Sequence, residues 1–165
     1  MKIFQPATLA LLRTLLEDGS TGPAPVTAFA VTPALREWYA SGDAEELEYI
    51  ALTGAARASL RLLDLDPTAP RRRVVVVAEV EDSSVTVRSD LERAAVQVGS
   101  PVRLDQVVAA YVDEQAAEDV VRAAARAVIE ADLGSADAQF VVDEAEGFEL
   151  GWYATQEIGP LVELL

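Results

Sequence analysis

Leu9, Leu12 and Leu16, with Leu11 and Leu15 beside them, recur at helical spacing. Thr8 stands where an N-cap belongs and Gly19 where a helix stops, so the pattern predicts a helix between them. Before it, residues 2–5 read as a short strand closed by Pro6. After it, residues 20–25 form a loop rich in Gly and Pro, and residues 26–31 an apolar strand prone to β-structure. Thr32 followed by Pro33 is an N-cap with proline at the first helical position, which predicts a short helix to Tyr39 or Ala40. Asp43 with Glu46 resembles a capping box. The helix it opens presents Leu47, Ile50, Ala51, Gly54, Ala58, Leu62 and Leu65 on one stripe and ends before Pro67.

The β-branched run within residues 72–80 predicts a central strand, in which Val76 should be fully buried. Ile50 on the long helix should be buried to the same degree. Ser83 and Ser84 turn the strand into residues 85–88, read as its antiparallel partner. Residues 94–98 and 107–112 are further strands. Residues 114–131 are helical, with Ala117, Val120, Val121, Ala124, Val128 and Ala131 on the apolar face and Gly134 beyond. Residues 137–144 give one or two helical turns, residues 150–155 a strand, and residues 160–165 a last helical turn. The order β-α-β-α-α-β-β-(β)-β-α-α-β predicts a single α+β domain over residues 1–165. It has one mixed sheet with helices mainly on one face. A ferredoxin-like core with extra elements fits this order.

Composition narrows the chemistry. The 165 residues include no Cys and no His. Disulfides, thiolate nucleophiles, cysteine zinc sites, His general bases and Ser–His–Asp triads are therefore excluded. Carboxylates, Tyr, Arg and Ser/Thr remain, with Lys2 the only lysine. No Gly-rich phosphate loop occurs, and no cofactor is expected.

The net charge is −15 and is uneven: residues 83–165 carry 16 acidic and 5 basic groups, and none of the basic ones follows Arg126. Such a charge argues against nucleic acid and anionic membranes as partners. It serves solubility and steering, or docks a partner with a basic surface. Residues 19–35 are uncharged but are broken by Gly and Pro, and no secretory h-region follows Lys2, so a cytoplasmic setting is expected.

Several clusters carry candidate chemistry. Asp143, Glu144 and Glu146 head the acidic face; the acidic clusters could hold a hard cation such as Mg²⁺ only if two of them converge. Arg71, Arg72 and Arg73 are the one basic cluster. They read as an anion site at a strand entrance, or as partners for the chain's own carboxylates and a guard on a strand end. On the last strand Trp152 and Tyr153 must face opposite ways. The larger ring is expected in the core and the outward one marks an interface. Trp38-Tyr39-Ala40-Ser41 echoes Trp152-Tyr153-Ala154-Thr155, but the flanking residues do not match.

Pro6-Ala7-Thr8, the run from Thr27 through Thr32-Pro33-Ala34-Leu35-Arg36-Glu37-Trp38-Tyr39, Glu45-Glu46-Leu47-Glu48-Tyr49 and the ending Trp152-Tyr153-Ala154-Thr155-Gln156-Glu157 together resemble a family of small uncharacterised actinobacterial proteins. The resemblance spans essentially the whole chain. It implies a bacterial cytoplasmic setting and a single-domain unit, and brings no activity, cofactor or catalytic residue.

The missing catalytic groups and the acidic second half favour a non-enzymatic protein-binding or regulatory module. Trp152, Tyr153, Asp143, Glu144, Glu146 and Arg71–Arg73 are its candidate interaction residues. The alternative is a small-molecule-binding protein or small enzyme using Tyr, Arg and carboxylates, with Mg²⁺ in one version. A pocket lined by Tyr39, Tyr49 or Tyr111 together with an arginine would favour the alternative. A filled core with an exposed aromatic patch would favour the first reading.

Overall fold

The computed structural model describes all 165 residues. Thr8 caps the first helix as its sequence requires: its side chain accepts from the Leu11 amide, and Gly19 ends the helix at φ 78°. That helix, α1 (Leu9–Asp18), follows strand β1 (Lys2–Ala7) and precedes β2 (Val26–Phe29). Thr32 accepts from the Leu35 amide to open α2 (Pro33–Trp38), and Asp43 accepts from the Glu46 amide to open α3 (Ala44–Leu65). Strands β3 (Val74–Glu79), β4 (Val85–Val87), β5 (Ala95–Val98) and β6 (Val107–Val112) come next. Helices α4 (Glu118–Asp132) and α5 (Ala136–Glu146), strand β7 (Gly151–Ala154) and helix α6 (Thr155–Leu164) complete the chain.

All seven strands lie in one sheet, in the order β4-β5-β2-β1-β3-β6-β7. Every neighbouring pair is antiparallel, so the expected mixed sheet is corrected. Its cause is the route of the helical connections. α1 returns the chain beside β1 in the opposite direction, and α4–α5 do the same between β6 and β7. β2 and β3 run parallel to each other, with β1 between them. The β2–α2–α3–β3 unit straddles β1 as a split βαβ unit does, but the β1–α1–β2 and β6–α4–α5–β7 units place their strands side by side, so the second split unit of a ferredoxin-like core is absent.

The fold is α+β, with helices covering both sides of the sheet. On one face α2 and α3 pack on Phe4, Phe29, Val75 and Val77. α4 and α5 stack in turn on the carboxyl-terminal half of α3 around Leu60, Leu63, Val121 and Val142. On the other face α1 and α6 bury Ile3, Val74, Val76, Ala110 and Val112. Burial on both sides explains why Val74–Ala78 is an unbroken apolar run, with Val76 fully buried.

Several boundaries differ from expectation. Pro6 lies within β1, opposite Val75, in the stretch where β1 pairs with β3 and not β2, so its missing donor is tolerated. β4 does not pair with β3. Both sides of β3 are taken by β1 and β6, and the Met1 and Val80 backbones exchange hydrogen bonds at its end. The turn Asp82–Ser84 therefore carries the chain to the far edge, where β4 pairs with β5. The buried stripe of α3 is Leu47, Ala51, Ala55, Ser59 and Leu63, so Ile50 is half-buried and Leu65 is 81% exposed. α5 is a complete helix. α6 begins before Pro160 and contains it, secured at its start by Glu157 Oε1 accepting from the Ala154 amide.

Candidate functional site

The carboxyl-terminal edge of the sheet is only partly covered on the α3 face, where Trp152 and Val108 stay exposed. The register sets Tyr111 of β6 opposite Trp152 of β7, so both rings stand on that face. Beside them the ladder passes from Ala78↔Val107 to Val77↔Ala109. Val108 is the extra residue of this bulge and is left outward, 48% exposed. α3 supplies the facing wall through Tyr49, Leu52, Thr53 and Ala56, spaced i, i+3, i+4 and i+7, so they share one side of the helix.

The result is a cleft with two chambers that share Tyr49, Leu52 and Tyr111. The outer chamber, of about 400 Å³, adds Val108, Trp152, Glu45 and Glu48. The inner chamber, of about 460 Å³, adds Thr53, Ala56, Arg73, Phe148, Glu146 and Glu149. Both volumes fall in the range of small-molecule sites.

Arg73 lines the inner chamber and is held there by Asp113. They immediately precede β3 and follow β6, so they continue the Val74↔Val112 ladder by one step. The Asp113 amide donates to the Arg73 carbonyl at 3.1 Å, and the Arg73 amide to Asp113 Oδ2 at 2.7 Å. Arg73 Nε and Nη2 grip the carboxylate in a bidentate pair, both at 2.8 Å. Nη2 also donates to the Phe148 carbonyl at 2.9 Å, which fixes the segment leading into β7. The two side chains are 2% and 0% exposed.

The three consecutive arginines thus serve three places. Arg71 donates to the carbonyls of Leu63, Asp66 and Ala69, holding the end of α3. Arg72 Nε meets Glu118 at 3.0 Å. Arg73 alone reaches the cleft. Of the aromatic pair, the smaller ring faces the core: Tyr153 packs toward α1 and α6, and Trp152 is 57% exposed. α6 starts at the residue after β7 and folds over the Tyr153 side, while Trp152 stands at the open cleft beside α3. Glu146 lies at the cleft mouth; Asp143 accepts from Gln139 at 2.7 Å, and Glu144 is exposed on α5.

Asp132, by contrast, binds together α3 and α4 through Arg57 and Arg61, at 3.0 and 2.7 Å. The Arg61 guanidinium, and then that of Arg57, hold its carboxyl below the usual carboxylate range. No His, Cys, Asp or Glu side chains gather in threes as a metal site would need.

The sequence offers Tyr39, Tyr49 or Tyr111 with an arginine as a pocket lining without saying which arginine, and it does not mark Val108, Leu52 and Phe148, or Asp113 behind Arg73, as parts of one site. Asp113 was legible only as a charge ending an apolar strand.

A family model matches residues 1–162, and its family is one of unknown function, DUF6912. The chain belongs to the DUF6912 family. No curated protein and no solved structure matches it. In this DUF6912 protein no helix is long and apolar enough to cross a membrane.

Proposed function

We propose that this DUF6912 protein is a non-enzymatic binding module of the bacterial cytoplasm and that its ligand is a small molecule held in the cleft between α3 and the β6–β7 edge. One observation carries the reading: Tyr49, Tyr111 and Arg73 line a single cavity. Aromatic walls with a few convergent polar groups are the usual composition of a ligand pocket. The cleft brings no nucleophile to a general base, and the Thr53 hydroxyl already donates to the Tyr49 carbonyl at 2.9 Å.

The neutral solvatochromic dye Nile red tests this. Its fluorescence should rise and saturate with the wild type and fail to do so with Leu52→Glu, which places a charge where the chambers meet. Absence of saturable binding, or equal binding by the folded variant, would refute the reading.

The outer chamber supports a second reading, a protein partner with a basic surface. Trp152, Tyr49 and Val108 are exposed there beside Glu45, while Glu48 is paired with Lys2 at 3.1 Å. A complex of that kind should associate more slowly as salt is raised.

A further inference from the structure

Arg73 is the largest fully buried side chain in the protein, and part of it is unused. Nε and Nη2 are committed to Asp113 and the Phe148 carbonyl. Nη1 has no hydrogen-bond partner, and Arg73 lines the inner chamber. No buried side-chain nitrogen or oxygen of the protein lacks a partner, so the unpaired Nη1 is reached by solvent, and a guanidinium nitrogen open to a cavity is a place for an acceptor from outside.

The electrostatics select the kind of acceptor. Asp113 already balances the charge of Arg73. Glu146 and Glu149 stand at the same chamber, Arg73 is its one basic residue, and the whole chain carries −15. An anion would enter against all of these. A neutral carbonyl oxygen would gain a hydrogen bond from a charged donor without that repulsion. The walls select the rest of the ligand, because Tyr49, Tyr111 and Phe148 offer ring surface to a flat apolar group.

We infer that the inner chamber binds a flat, uncharged aromatic compound whose carbonyl oxygen accepts a hydrogen bond from Arg73 Nη1. This rests on the reading of the cleft as a ligand site. Arg73 is then the residue that determines specificity.

Three fluorescent probes share one ring system and separate the ideas: 1-methylnaphthalene, 1-naphthamide and 1-naphthoate, followed by anisotropy at low ionic strength. The amide should bind about tenfold or more tightly than the hydrocarbon, the discrimination one hydrogen bond to a charged group provides. It should also bind more tightly than the carboxylate. In the double variant Arg73→Met/Asp113→Leu, the amide should bind no better than the hydrocarbon. Equal affinities of amide and hydrocarbon for the wild type would overturn the role of Nη1 while leaving the cleft a ligand site. Tighter binding of the carboxylate would overturn the requirement for an uncharged ligand. Binding of none of the three would overturn the cleft reading and this inference together. The comparison of probes on the wild type decides even if the double variant does not fold.

Discussion

Removing the Asp113 side chain is the most informative single perturbation of the fold. In Asp113→Ala the Arg73 guanidinium keeps its charge in a site where only 2% of the side chain is exposed, and Nε loses its acceptor. The Arg73 amide loses Oδ2 as well. Breaking a buried ion pair from one side costs roughly 3–5 kcal/mol, a large share of the 5–15 kcal/mol expected of a domain. Replacing both partners with apolar residues, Arg73→Met/Asp113→Leu, removes the stranded charge and leaves mainly the orphaned amide, worth about 1–3 kcal/mol. The double variant should therefore be more stable than Asp113→Ala by about 2 kcal/mol. Urea denaturation with a common slope measures both. A loss below about 1 kcal/mol for Asp113→Ala, or a double variant as unstable as the single one, would refute the argument that the pair is buried and mutually dependent.

Other expectations follow from particular sites. A Cβ on Gly54 would lie 2.9 Å from Phe29 Cδ1, so Gly54→Ala should destabilise by about 1 kcal/mol or more despite the better helix propensity; a more stable variant in denaturant titration would contradict this. The lowered pKa of Asp132 means that its pairing with Arg61 and Arg57 stabilises the fold fully above the ordinary carboxylate range and is lost as pH falls through the depressed folded value. Asp132→Asn should flatten the acid limb of the melting profile, and an unchanged limb would count against the cluster. Of the nine carboxylates in residues 127–165, only Asp132 has a basic partner, so raising NaCl to about 0.15 M should raise the melting temperature by screening the others. An unchanged or lower melting temperature would show that those charges are already balanced.

Local signals in the sequence were legible because their causes are local. The caps at Thr8, Thr32 and Asp43, the stop at Gly19 and the face of α4 each depend on a few neighbouring residues. The stripe of α3 was read a step away from the true one because one helix serves three neighbours: the sheet, the cleft and the α4–α5 pair. Strand partners were not legible, since nothing in residues 82–88 says that β3 is already flanked on both sides. The α+β class could be read from element order, but the direction of β2, β6 and β7 depends on how helices return the chain. The cleft was out of reach for the same reason. Tyr111 meets Trp152, and Arg73 meets Asp113, only through strand register. The orientation of the aromatic pair was decided by α6, which folds over the Tyr153 side and leaves the larger ring outside.

The central claim is that the α3–β6–β7 cleft is a ligand site with Arg73 at its base. Amide ¹H–¹⁵N spectra recorded while 1-naphthamide is added test it most directly. Shifts should concentrate at Tyr49, Leu52, Thr53, Tyr111, Phe148 and Trp152, and saturate together. No saturable shifts, or shifts centred elsewhere, such as on Trp38 with Arg93 stacked on its ring at 3.5 Å, would contradict it.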